Sequence, residues 1–196
     1  VPTKHIADED HNGGYVGWAS NPTGSWSKRQ IFAANGDGYP HYFSAANFAN
    51  GYFILREYSH NSRGGNTYQR YSSTPSALAA DWKSISTAGV SASSVVYFDG
   101  QYIFPYNTAV ETGMWSGKYN TTAGFDYAPS LDSVTADWTK KTLWQQSSVP
   151  SSSSKVSHVN VLNGILFICG TKYDTATSTS YAHISIASSL DALTIE

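Results

Sequence analysis

Side chains able to do chemistry are few in this sequence, and their spacing does not gather them. Hydrolysis of a glycosidic bond takes two carboxyl groups facing one another across the scissile bond. Glu57, Glu111, Asp126 and Asp174 are available, each in polar surroundings that read as a solvated loop. A guanidinium fork grips a substrate carboxylate bidentately, but Arg56, Arg63 and Arg70 crowd into one short stretch. The six histidines (His5, His11, His41, His60, His158 and His183) show no H-x-H or H-x-x-x-H spacing, so no metal site is expected from them. His41 and His158 each precede or open an inner strand, as turn or channel-lining residues. Cys169 stands alone in the apolar run 165–169, which excludes an intrachain disulfide and reads as a buried, inert thiol. No Gly-x-Ser-x-Gly or P-loop pattern occurs. Asn120-Thr121-Thr122 has the form of a glycosylation sequon. These residues predict no catalytic set, no metal and no cofactor.

Binding is the chemistry that remains. Residues 110–119 carry Met114, Trp115 and Tyr119 among glycine and serine, and residues 56–70 carry Arg56, Tyr58, Arg63 and Tyr68. Aromatic rings beside small polar groups suit stacking on a sugar or a protein contact. The competing expectation is that Trp115 and Tyr119 pack inside an ordinary strand.

The elements that must position these residues follow from composition and period. The chain has 196 residues, of which 13% are charged and 14% aromatic, with a formal net charge of −2. That profile fits one all-β domain with hydroxyl-rich surfaces. It offers no basic surface for nucleic acid, and no stretch has the length and apolarity of a membrane span. The first residue is Val and no signal peptide is apparent, so the N-terminus reads as processed or incomplete.

One segment is written repeatedly. Residues 130–138 read S-L-D-S-V-T-A-D-W, residues 76–82 read S-A-L-A-A-D-W, residues 20–26 read S-N-P-T-G-S-W, and residues 189–193 read S-L-D-A-L. The closing aromatics Trp26, Trp82 and Trp138 stand 56 residues apart, and Leu193 follows after 55. A fixed period of this length marks a repeat architecture. Inside each period the same order returns. An inner strand (43–48, 94–98, 157–162) runs into Asn50-Gly51, Asp99-Gly100 or Asn163-Gly164, dipeptides that favour a type I′ hairpin. An apolar strand answers (52–55, 102–104, 165–169). A variable loop leads to a third strand ending in Ser20, Ser73, Ser130 or Ser188, and an outer strand (27–32, 83–86, 139–143) follows. Residues 147–154 are serine-rich and read as a surface loop.

Four strands per unit predict a β-propeller-like fold, with a partial first blade at 1–32 and blades at about 33–87, 88–143 and 144–196. The recurring tryptophan would fill the gap between blades. About three and a half blades are short for a closed ring, so an incomplete ring is expected.

The repeat resembles a known family. Ser20, Gly24 and Trp26 in A-S-N-P-T-G-S-W resemble a shortened Asp-box, the motif S-x-D-x-G-x-T-W of sialidase-like propellers; Ser130, Asp132 and Trp138 resemble a longer version. Pro22 replaces the box aspartate in the first copy. The N-G-x-(hydrophobic)₃ strand followed by x-S-x-x…W is similar to repeats of bacteriophage tail and other virion proteins. The resemblance implies a propeller fold and a virion or extracellular location. The Asp-box is structural in that family, so no catalytic role comes with it. A non-enzymatic structural or host-attachment module is expected, held in a homo- or hetero-oligomer by other subunits, with a cell-surface glycan as a further partner. The alternative is a lectin or a sialidase-like glycoside-hydrolase domain.

Overall fold

A computed structural model describes residues 14–21, 23–32, 41–61, 64–73, 83–85, 95–132, 138–150 and 153–193. The chain divides into two compact units, Val1–Thr87 and Ala88–Glu196. In the first, β1 (Gly14–Trp18) pairs with β2 (Ser27–Phe32). A separate four-stranded meander follows, formed by β3 (His41–Ala49), β4 (Tyr52–Asn61), β5 (Gly64–Ser72) and β6 (Lys83–Ile85). The second unit holds a four-stranded sheet of β7 (Val96–Phe98), β8 (Gln101–Glu111), β9 (Tyr119–Ala128) and β10 (Thr139–Val149). Among the described residues its other sheet has three strands, β11 (Lys155–Leu162), β12 (Ile165–Asp174) and β13 (Thr179–Ala187). Every pairing is antiparallel between neighbours in sequence, so each sheet is an up-and-down blade.

The hairpin dipeptides do what their chemistry dictates. Asn50 and Gly51, Asp99 and Gly100, and Asn163 and Gly164 all have positive φ, from 47° to 83°. Both central residues of a type I′ turn need this, and it matches the right-handed twist of the strands. The strands run further than their apolar cores. β8, expected at 102–104, extends to Glu111, buried through Tyr106 and exposed from Thr108 onward. Alternation fades in that polar extension, yet its ladder with β9 continues to Glu111 opposite Tyr119.

In the second unit the two sheets meet face to face. Phe98, Ile103, Ala123, Phe125, Leu143 and Trp144 from one pack with Val156, Val159, Leu166, Ile168 and Ala187 from the other. Leu190 and Leu193, in the turn after β13, close this core. Trp144 reaches across to the facing sheet. Its indole N–H donates to Ser154 Oγ at 3.1 Å, its ring meets His183 edge-on at 5.1 Å, and the Lys172 ammonium lies 5.4 Å from its centre. Gly170 gives the indole its floor: a β-carbon there would stand 2.9 Å from Trp144 Cη2 and would overlap the Lys155 carbonyl oxygen.

Polar side chains lock the same interface. Asn107 Nδ2 donates to the Val156 carbonyl at 2.8 Å, and the Val156 N–H donates back to Asn107 Oδ1 at 2.7 Å. Gln146 treats Tyr173 in the same way, at 2.6 and 2.9 Å. A carboxamide carries one donor side and one acceptor, as a peptide group does, so each clamp acts as a fragment of strand. The Leu190 N–H donates to Asp99 Oδ2 at 3.1 Å, and the Lys141 ammonium donates to the Leu190 carbonyl.

The closing aromatics were expected between blades. Trp138 lies edge-on against Phe104 of its own sheet, with centroids 4.5 Å apart, and Trp26 is exposed. Trp82 lies outside the described residues. The indole between the two sheets of this unit is Trp144, which the period does not mark. In the S-L-D copies the buried residue is the leucine, Leu131 and Leu190, and each preceding serine hydroxyl caps the turn by accepting a backbone N–H, from Asp132 and Ala192.

Gly170→Ala forces a methyl group into the Lys155 carbonyl and the indole. It is expected to cost roughly 2–3 kcal/mol, lowering Tm by about 4–12 °C for a chain of this size. Thermal unfolding followed by tryptophan fluorescence measures this, and an unchanged Tm would contradict the packing described.

Candidate functional site

The β8–β9 hairpin projects a tip, residues 112–118, beyond the buried part of its sheet. Its sequence T-G-M-W-S-G-K supplies small hydroxyls that tie the loop to itself. The Thr112 N–H donates to the Lys118 carbonyl at 2.9 Å, and Thr112 Oγ1 and Ser116 Oγ donate to the same oxygen at 3.1 Å. The Ser116 N–H reaches the Gly113 carbonyl, the Lys118 N–H reaches Ser116 Oγ, and the Gly117 N–H donates to Glu111 Oε1. Within this cage Trp115 adopts φ 61° and Gly117 φ 63°. A bulky residue in the left-handed region is a backbone outlier, held only where the surroundings over-determine it. The result places Met114 and Trp115 in solvent, 88% and 90% exposed. Trp115 therefore does not pack inside a strand. Tyr119 is the first residue of β9 and half-buried.

A second cluster lies on the face of this sheet that carries Phe104. Tyr106 OH and Thr142 Oγ1 are 2.8 Å apart, and Lys140 Nζ stands 4.4 Å from the Tyr106 ring centre and 4.0 Å from Asp126 Oδ1. Asp126 is only 8% exposed, and its Oδ1 has no hydrogen-bond partner among the described residues. Burial raises its pKa above the usual Asp value, and Lys140 partly opposes this. Burial likewise raises that of Tyr106, with the Thr142 hydrogen bond pulling down and the Asp126 charge pushing up. The sequence placed Asp126 in a solvated loop; strand β9 instead carries it to a buried face. A raised carboxyl is a form suited to general-acid chemistry. The charge acting on it is that of Lys140, not a second carboxylate.

The other carboxylates stand apart. Asp174 ends β12 and caps the following turn, accepting from Thr177 Oγ1 at 2.7 Å and the Ala176 N–H at 2.9 Å. These bonds, the Thr177 hydroxyl first, hold its pKa below the usual value. Arg56 and Tyr58 lie on β4, and Arg63 lies outside the described residues. His183 sits against Trp144 and His158 is exposed on β11. Among the described residues no three His, Cys, Asp or Glu side chains group as metal ligands. Cys169, read as buried, is half-buried on the face of β12 turned away from the Trp144 core. Asn120 Oδ1, in the sequon, accepts the Ser148 N–H at 3.3 Å.

The fold defines an all-β protein of propeller type, assembled from repeated antiparallel blades. No protein-family model matches the chain, and no curated protein matches it. Solved structures that align with the chain include an endo-arabinase from Bacteroides thetaiotaomicron, 12% identical with a TM-score of 0.44, over 95% of this chain and 74% of that one. An α-L-arabinanase from Penicillium chrysogenum, complexed with arabinobiose, is 11% identical with a TM-score of 0.49, over 98% and 72%. The endosialidase of phage phi92 is 12% identical with a TM-score of 0.47, over 86% of this chain and 30% of that one. At these identities the likeness transfers no residue role.

The Asp126 environment sets a pH test. Its folded-state pKa lies above the unfolded one, so the folded protein binds the extra proton, and this group's destabilisation grows as pH rises through that interval. Asp126→Asn is therefore expected to raise Tm at pH 7, with the gain shrinking toward zero below the ordinary Asp range near pH 4. Paired thermal melts at the two pH values check this; a lower Tm at pH 7 would show that the carboxylate is stabilising.

Proposed function

We propose that the chain is a non-enzymatic structural or host-attachment (adhesin-like) module of a virion or another extracellular assembly. It meets its partner, a cell-surface glycan, through the β8–β9 tip. The observation that carries this reading is Trp115, almost wholly in solvent, at positive φ, on a loop closed by its own hydrogen bonds. Folding gains nothing from an indole so placed, and the strained backbone costs on the order of 1 kcal/mol. A partner gains from it. The indole offers a broad apolar face to the C–H face of a pyranose, and a Trp side chain has only two torsions to immobilise. Because the cage already fixes the backbone, little loop entropy is lost on binding. Met114 beside it widens the apolar contact and adapts to irregular shape.

Trp115→Ala tests the reading. Binding of the chain to a glycan array is expected to fall by at least about 30-fold, the loss typical of an aromatic anchor worth 2 kcal/mol or more. Tm should stay within about 1 °C, because the side chain is almost wholly in solvent. Glycan binding that is absent in the parent chain, or equal in the variant, would sink the proposal.

A further inference from the structure

The donors of the β8–β9 tip narrow the class of glycan it can hold, on the reading that the tip is the glycan contact. Four of its backbone N–H groups, those of Thr112, Ser116, Gly117 and Lys118, donate within the loop. Both of its hydroxyls, Thr112 Oγ1 and Ser116 Oγ, donate to the Lys118 carbonyl. A sugar carboxylate or sulfate is held by donors that converge on it, best by charged ones. These donors converge inward instead. Residues 108–122 contain one acidic side chain, Glu111, and one basic one, Lys118, so their charges cancel over the tip. Residues 144–154, whose strand flanks the base of the hairpin, contain no Asp, Glu, Lys, Arg or His. An anion approaching here is drawn by no net charge. Pressed onto the indole, it would lose water with little to replace it.

What the tip offers is apolar area. Met114 and Trp115 hold the two central positions of the turn closed by the Ser116 N–H on the Gly113 carbonyl at 3.0 Å. At 90% exposure the indole is a platform, not the floor of a pocket. A chain can therefore lie across it and need not end there. A pyranose stacks on an aromatic ring through its axial C–H bonds. In a β-1,4-linked gluco-configured chain, every ring substituent and both linkages are equatorial. Each ring then presents an unbroken C–H face, and the chain is flat enough to rest on an isolated indole. An axial linkage bends the chain and tilts successive rings away. We infer that the ligand of the Trp115 tip is an uncharged, equatorially linked hexopyranose chain, held along its side.

Titration of the full chain with three hexasaccharides, followed by tryptophan fluorescence, tests this. Cellohexaose is uncharged and equatorially linked, maltohexaose is uncharged and axially linked, and a hyaluronan hexasaccharide is equatorially linked and acidic. Cellohexaose is expected to bind at least about fivefold more tightly than either of the others. Its Kd should change by less than about twofold between about 0.05 and 0.5 M NaCl. The fluorescence change should be missing in Trp115→Ala. Hyaluronan binding as tightly as cellohexaose, or more so, would overturn the assignment to an uncharged glycan. Maltohexaose binding equally well would overturn the linkage. Glycan-array binding confined to acidic or axially linked chains would overturn the inference and leave the glycan contact standing; a blank array would sink that contact with it.

Discussion

The second unit depends on the contact between Trp144 and Gly170. An indole spanning two sheets needs a place where the facing strand has no side chain, and Gly170 provides it. The same glycine lets the Lys155 carbonyl come close across the ladder, beside the shift in register between Val156 and His158. A matching arrangement lies in the other sheet. Gly124 sits where a β-carbon would overlap the Lys141 carbonyl, beside the register shift between Thr142 and Trp144. Bulges re-aim side chains, and this one lets consecutive residues, Leu143 and Trp144, both enter the core.

Around that contact, backbone groups at the sheet margins still need partners, because an unpaired buried peptide group costs about as much as a lost hydrogen bond. Asn107 and Gln146 answer this from the facing sheet, each satisfying both polar groups of one residue. Apolar packing alone would let two sheets slide, whereas two bidentate clamps at Val156 and Tyr173 fix their relative position. Blade packing here is specified by polar groups as much as by volume. The tip lies outside this core, free to make contacts that folding does not need.

What the sequence made legible was the part governed by local chemistry. Asn-Gly and Asp-Gly dictate positive φ within a few residues, so the hairpins and the strand order followed from them. The 56-residue period located the S-L-D turns, whose serine caps and buried leucines are local too. The strand extensions were not legible, because residues 108–111 continue a ladder after their alternation has lost its apolar side. Trp144 was hidden because its importance comes from Gly170, 26 residues away. Asp126 was misread because its neighbours in sequence are polar, while its neighbours in space include a buried tyrosine ring and one lysine. The tip was legible as aromatic but not as exposed; that is decided by the six hydrogen bonds closing residues 111–118.

The most direct test of the central claim is native-state hydrogen exchange at the Val156 and Tyr173 amides, together with the Trp144 indole N–H. If the clamps and the indole hold the two sheets together, all three should exchange only through opening of the unit as a whole, with protection close to that of the central strand β12. Exchange of Val156 and Tyr173 as fast as a frayed strand end would contradict the account, and would mean that the sheets meet without being locked.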